Sequence, residues 1–237
     1  MNDDTNKNNL NILPNHIAFI PDGNRPWASS KEMESHLGHK EGIKVFFNII
    51  RASNNRIPYI TFWALSKANF IKRSPNELKY LFAYFKEVFK EINSLKEFQS
   101  INISILGESE KYLSDKTLLK LIKKINNRNI KEYSQTVTIL LGYDGQDEML
   151  DAINKLKNNN LEINESNLKK CLLTGHLPPV DLLIRTGGEP HLSCGFMMWL
   201  TSNSEIYFDK EFWPDFNEKS LEKALLEYTF RRRMNGS

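Results

Sequence analysis

The chain has few cysteines and no long apolar run. Cys171 and Cys194 stand far apart, and neither belongs to a CxxC pair. That excludes a disulfide framework or a thiolate zinc site and makes a reducing cytoplasm the default compartment. No stretch approaches about 18 uninterrupted apolar residues, so no segment reads as a transmembrane helix. An excess of one charge is missing too. The 32 Lys and Arg against 29 Asp and Glu leave a formal net charge of +3, without the basic surplus of a nucleic-acid binder. The opening MNDDTNKNNLNILPN is polar and has no signal-peptide apolar core, so residues 1–14 read as a flexible tail before one folded domain over 15–237. No internal repeat and no linker divides that domain.

What the chain does have is enough apolar material, 40% hydrophobic and 11% aromatic residues, to bury a sizeable core. Short apolar runs predict strands at His16–Ile20, Tyr59–Leu65, Ile101–Leu106, Thr136–Leu141, Val180–Ile184 and Glu205–Phe208. Helical patterns lie between them, at Trp27–Ala52, Asn76–Leu95, Asp115–Asn126, Asp147–Asn158, Ser166–Leu173 and Glu218–Arg233. Nearly continuous apolar strands belong in sheets covered on both faces. The alternation therefore predicts an α/β fold: one doubly wound domain whose central, mostly parallel sheet of six strands is flanked by helices. Ligands in such folds bind beyond the carboxyl ends of the strands.

The segment Pro21-Asp22-Gly23-Asn24 falls at that place, between the first strand and the first helix. It reads either as a plain turn or as an anion site. A helix N-terminus presents free N–H groups that suit phosphate, and Gly23 lets the backbone approach a ligand. Asp22 would repel phosphate unless it holds a Mg²⁺ ion that the phosphates share. Downstream, Gly38-His39-Lys40 adds an imidazole and an ammonium. A second constellation, DLLIRTGGEPHLS from Asp181 to Ser193, ends a strand in Arg185 and a glycine pair. Arg185 is either a bidentate phosphate ligand or half of a structural ion pair. Ser204-Glu205-Ile206-Tyr207-Phe208 supplies another carboxylate, and Arg231-Arg232-Arg233 a basic end. The aromatic stretch Tyr80–Phe85 with Val88, Phe89 and Ile92 reads as an amphipathic helix packed into the core.

Taken together, PDGN-x-x-WA, GHK-x-G, Ala64-Leu65-Ser66 with Asn69-Phe70, DLLIRTGGE-x-x-LS, SEIYF, WPDF and the closing arginines resemble the cis-prenyltransferases, the group typified by undecaprenyl diphosphate synthase. The motifs run in order from about His16 to Gly236. The resemblance implies a homodimer that condenses isopentenyl diphosphate with an allylic prenyl diphosphate in the presence of Mg²⁺, forming Z double bonds. It further implies that 15–237 is the catalytic domain and that the aromatic stretch lines a hydrophobic tunnel for the growing chain. A lipid product leaves room for peripheral membrane association. By the same resemblance Asp22 and Asn69 are catalytic, Asp22 holding Mg²⁺ with Glu205 and Asn69 aiding proton removal. Gly23, Asn24, Arg25, Trp27 and His39 would surround the allylic diphosphate, with Ser66, Lys67, Ala68, Phe70 and Arg73 near the reacting carbon. Arg185, His191 and Ser193 would bind isopentenyl diphosphate, and the closing arginines would reach it across the dimer.

The chain departs from the family at phosphate-binding positions. Pro26 and His191 stand where arginines are usual, and an arginine before Gly38-His39 gives way to Ser35 and His36. Asp144-Gly145-Gln146 replaces Gly-Gly-Arg, Phe70 replaces a tryptophan, and an extra residue leaves Lys72 or Arg73 in the role of the next arginine. One more residue is inserted near Cys194-Gly195. Three readings compete: regular chain elongation, an irregular or short-chain synthase of the lavandulyl type, and a non-catalytic partner subunit of the Nogo-B-receptor type. Retention of Asp22, Asn24, His39, Asn69, Arg185, Ser193 and Glu205 argues against the last.

Overall fold

The computed structural model describes residues 13–234. The first strand, β1 (His16–Ile20), is buried along its whole length and feeds α1 (Asn24–Ser30) and α2 (Ser35–Ser53). Next come β2 (Tyr59–Ser66), the short α3 (Lys67–Lys72) and the long α4 (Pro75–Ser94). A 3-10 turn at Lys96–Ser100 leads to β3 (Ile101–Leu106), α5 (Ser109–Tyr112) and α6 (Lys116–Asn126). The remainder is β4 (Gln135–Tyr143), α7 (Gly145–Asn158), α8 (Glu165–Cys171), β5 (Leu182–Arg185), β6 (Glu205–Phe208), a 3-10 turn at Trp213–Asp215 and α9 (Glu218–Met234).

All strand pairs are parallel, in the order β3-β4-β2-β1-β5-β6. Every residue of β4 is buried, as expected for a strand covered on both faces. Side-chain alternation sorts the core into two layers. Ile17 and Phe19 point into the larger one, shared with α2, α4, α6 and α9, while Ala18 and Ile20 point into a smaller one with Trp63, Tyr143 and Phe196. The chain winds from β1 toward β2 on one side and returns to β5 on the other, so β1 and β5 flank a topological switch point.

Local chemistry starts most helices. Ser66, Ser74, Asp115, Asp144 and Asn164 each accept backbone N–H bonds as N-caps, and Pro75 opens α4. Asp144 is thus occupied as a cap, which gives the aspartate of Asp144-Gly145-Gln146 a structural part. The single helix expected over Trp27–Ala52 is instead two. Glu32 turns back at φ 56°, and α2 crosses α1 so closely that a Cβ on Gly38 would lie 1.9 Å from the Asn24 carbonyl oxygen. The helix α3 was not anticipated because its single turn and a half shows no periodicity, only the Ser66 cap. β5 starts later than expected and runs on through Arg185, while β4 extends to Tyr143. Of the tail expected over 1–14, residues 1–12 lie outside the described residues, but Leu13 packs against the core and Pro14 is buried.

Candidate active site

Asp22 and Arg185 meet at the switch point although 163 residues separate them. Parallel pairing aligns Ile20 with Arg185, so both strands deliver these groups to the same rim. Arg185 is buried and donates from Nη2 to Asp22 Oδ2 (2.7 Å), and from Nη1 to the His191 carbonyl (2.7 Å) and Ser193 Oγ (3.0 Å). Asp22 Oδ1 accepts the Gly23 N–H at 2.7 Å. The backbone of Asp22 is held from both sides: its N–H donates to Thr186 Oγ1, and its carbonyl accepts from Thr186 Oγ1 and the Trp213 N–H. Gly23 (φ 98°) and Gly187 (φ 91°) are needed here. A Cβ on Gly23 would strike Phe212 at 2.5 Å, and one on Gly187 would press within 3.1–3.3 Å of Asp22.

This polar rim opens into a cavity of about 670 Å³. At its mouth stand Asp22, Asn24, Arg25, Arg73, Arg185 and Ser193, and its inner wall is apolar, built from Phe46 and Phe62 with Leu81, Phe85 and Phe89 of α4. The aromatic stretch therefore serves two purposes. Leu81, Tyr84, Phe85, Val88 and Phe89 line the cavity, whereas Phe82 packs on Phe70 and Ile92 is fully buried core. His39 lines the mouth and accepts a bond from Arg73 Nη1 at 2.8 Å, and the same nitrogen of Arg73 donates to Glu77 Oε1 at 2.6 Å. Burial, then the nearby guanidinium charges of Arg73 and Arg25, lowers the His39 pKa to about 3, so the ring is neutral. Arg73, one of the two candidates for the displaced arginine, is the one bonded to His39. Three buried polar atoms at this rim lack any partner: Asn24 Oδ1, Arg73 Nε and Arg185 Nε. The two arginine nitrogens are unpaired donors beside the cavity and suit an anionic ligand, whereas Asn24 Oδ1 is an acceptor.

Ser66, Ala68, Asn69, Gly23, Asn24 and Arg25 also line the cavity, Ser66 doubling as the cap that takes the Asn69 N–H. Other expected positions lie elsewhere. Trp27 is buried away from the cavity, its indole N–H donating to Asp215 at 2.7 Å, so it braces α1 against the WPDF turn. Lys67 turns outward to pair with Asp147. Phe70 stacks on Tyr112 at 5.1 Å beneath the surface. His191 is half exposed; its backbone carbonyl accepts from Arg185, and its ring reaches the site through Ser193 Oγ, 3.1 Å from Nε2. Glu205 does not share the site of Asp22. It pairs with Leu182 at the amino end of β5, three residues or roughly 10 Å from Arg185, and lies 3.6 Å from Arg231. Arg231 is occupied there and by Glu227 within the same chain. Thr186 and Trp213, which hold the Asp22 backbone, and Glu77, which pairs with Arg73, support the rim, a part that sequence reading did not give them although Thr186 and Trp213 lie in the DLLIRTGGE and WPDF motifs.

The donor set decides what metal could fit. Among the described residues no group of three or more His, Cys, Asp or Glu side chains is placed to hold an ion. Asp22 offers one carboxylate with a side chain 46% exposed, beside cationic and amide donors. That fits Mg²⁺, which keeps most of its waters and takes one or two carboxylates plus substrate phosphates, and it does not fit a protein cage.

A sequence model of the family described as "Putative undecaprenyl diphosphate synthase" matches residues 20–236. The chain is 36% identical to the ditrans,polycis-undecaprenyl-diphosphate synthase ((2E,6E)-farnesyl-diphosphate specific) of Buchnera aphidicola, covering 97% of this chain and 94% of that one. It is 34% identical to an isoprenyl transferase of Treponema denticola, covering 94% and 97%. Among solved structures, lavandulyl diphosphate synthase from Lavandula x intermedia in complex with dimethylallyl diphosphate superposes with a TM-score of 0.83 at 29% identity, over 92% of this chain and 95% of that one.

Proposed function

Because this chain belongs to the cis-prenyltransferase (undecaprenyl diphosphate synthase) family, we propose that it is a transferase condensing isopentenyl diphosphate with an allylic prenyl diphosphate, with release of diphosphate. The observation that carries this reading is the two-part cavity, whose cationic rim suits a diphosphate and whose apolar wall suits a prenyl chain. In the reaction the allylic C1–O bond breaks and the diphosphate leaves with the electron pair. The double bond of isopentenyl diphosphate forms the new carbon–carbon bond to C1, and loss of a proton from its C2 leaves a Z double bond.

Each rim residue has a part in that sequence. The Gly23 and Asn24 turn at the start of α1, with Arg25 and Arg73, receives the allylic diphosphate. Arg185 and Ser193 receive the diphosphate of the acceptor, and Arg185 spans both halves through Asp22. Asp22 would hold Mg²⁺, which when bound supplies charge neutralisation for the departing diphosphate. His39 is not the base, since its Nε2 already accepts from Arg73 and its pKa is about 3. It orients Arg73 instead. Asn69 lines the cavity, where its amide would guide the proton toward a diphosphate oxygen.

A second reading, irregular joining of two dimethylallyl units, draws support from the likeness to the lavandulyl enzyme. Purified protein incubated with Mg²⁺ and isopentenyl and dimethylallyl diphosphates, separately and together, decides between them. A ladder of longer alcohols that requires isopentenyl diphosphate upholds elongation, a ten-carbon product from dimethylallyl diphosphate alone upholds irregular coupling, and no product from any mixture refutes both. The active form is a homodimer. Exposed Phe208, Leu226 and Phe230 on the β6 edge and α9 support this, and light scattering at twice 27.6 kDa tests it.

A further inference from the structure

Beneath the acceptor side of the rim lies a buried hydrogen-bond relay that none of the roles above uses. Tyr143, the last residue of β4, donates its hydroxyl to Glu148 Oε2 at 2.5 Å. The same hydroxyl oxygen accepts the Met197 N–H at 3.2 Å. The other carboxylate oxygen, Glu148 Oε1, accepts both the N–H and the hydroxyl of Thr174, at 2.7 and 2.9 Å. Tyr143, Glu148, Thr174 and Met197 are all buried, and each polar group of the relay is satisfied.

What the relay holds is a strained loop. Between Ser193 and Met198 the chain turns through positive φ at Cys194 (49°), Gly195 (58°) and Met197 (45°). Non-glycine residues adopt such a backbone only when the surroundings impose it. Besides Tyr143, Thr201 Oγ1 donates to the Phe196 and Met197 carbonyls, and two contacts come from elsewhere in the fold. The Gly145 N–H donates to the Cys194 carbonyl at 3.0 Å, and Phe196 stacks on Trp63 with ring centroids 5.0 Å apart. Gly145 has no room for a side chain, because a Cβ there would sit 1.8 Å from the Gly195 carbonyl oxygen. The loop begins with Ser193, whose hydroxyl meets Arg185 at the cavity mouth.

We propose that Tyr143 and Glu148 are positioning residues for the acceptor half of the site, holding the strained Ser193–Met198 loop so that Ser193 meets Arg185 and the incoming diphosphate. This rests on the assignment of Arg185 and Ser193 to isopentenyl diphosphate. It differs from a plain packing role because the load falls on one substrate only. Among the described residues no side-chain hydrogen bond joins Tyr143, Glu148 or Thr174 to α1 or α3, and the relay's tie to that half is the backbone pairing of Tyr143 with Ser66 in the sheet.

The test compares the full chain with Tyr143→Phe and Glu148→Gln, both near-isosteric, by steady-state kinetics with each substrate varied. Tyr143→Phe should raise KM for isopentenyl diphosphate about tenfold and leave KM for the allylic substrate within about twofold. In a Ser193→Ala background the same substitution should add nothing further, since both act through one contact. Hydrogen exchange should show the Met197 amide losing protection in Tyr143→Phe and Glu148→Gln while the β4 amides keep theirs. Equal rises in both KM values, or full additivity with Ser193→Ala, would overturn the proposal, as would an unchanged Met197 amide. If Arg185→Ala leaves KM for isopentenyl diphosphate unaltered, the half-site assignment fails, and exchange at Met197 then reports only that the relay holds the loop.

Discussion

Replacing Asp22 with alanine separates what its carboxylate does for chemistry from what it does for the fold. The side chain is 46% exposed and makes two bonds, to Arg185 Nη2 and the Gly23 N–H. Water can enter to replace both. Arg185 keeps its bonds to the His191 carbonyl and Ser193, and the backbone of residue 22 keeps those to Thr186 and Trp213. With the ion pair discounted for solvent screening, the stability cost is about 1–2 kcal/mol. For a chain of this size that lowers Tm by on the order of 5 °C. The kinetic loss should be much larger. A carboxylate that places a metal on a leaving diphosphate contributes several kcal/mol to the barrier, and about 4 kcal/mol is a thousandfold in rate. Thermal unfolding followed by circular dichroism, beside diphosphate release at saturating Mg²⁺, measures the two effects on one preparation. Asp22→Asn, which keeps the shape and the Gly23 bond but turns an amide donor toward Arg185 Nη2, should fall nearly as far in rate. Retention of more than about a tenth of wild-type activity by Asp22→Ala would refute the assignment. So would a collapse of Tm that explains the loss by unfolding.

Three further outcomes are expected. Gly38→Ala forces a Cβ to within 1.9 Å of the Asn24 carbonyl, so it should cost about 1–3 kcal/mol in denaturant unfolding and raise KM for the allylic substrate; an unaltered midpoint would mean that α1 and α2 are not packed as described. His16 is buried between Thr61 and the Pro178 carbonyl, and burial lowers its pKa from 6.5 to about 4. The unfolded chain then binds that proton more readily, so stability falls as pH drops from about 6.5 toward 4, by up to about 3 kcal/mol, and a His16→Gln chain should show a flatter acid limb in urea titrations. His191→Arg places a permanent cation beside Ser193 and should tighten isopentenyl diphosphate binding by about threefold to tenfold, read by calorimetry with a non-reacting donor analogue; weaker or equal binding would leave His191 outside the acceptor site.

How much of this was legible in the chain itself follows from what local chemistry can encode. The strands announced themselves through continuous apolar runs, and the parallel sheet followed from their alternation with helices. Asp22 through Arg25 could be placed at a ligand site because a strand, a turn and a helix start are all short-range features. The caps at Ser66, Ser74 and Asp144 are equally local. Direction and register are not. Trp27 and Lys67 lie one or two helical steps from true rim residues, yet one braces a 3-10 turn and the other pairs with Asp147. Short helices such as α1 and α3 have too few turns to reveal which face is buried. Glu205 was set beside Asp22 by the family resemblance, but within one chain they sit at opposite ends of parallel strands, which only the pairing of Leu182 with Glu205 and of Ile20 with Arg185 reveals. The Asp22–Arg185 contact and the relay from Glu148 to Met197 join segments 163 and 49 residues apart through packing of the whole sheet. Composition and spacing could specify the elements and the chemistry each carries. Which side chains share one solvent-shielded volume was set by strand order, because hydrogen-bonded register fixes direction over distances no local preference can reach.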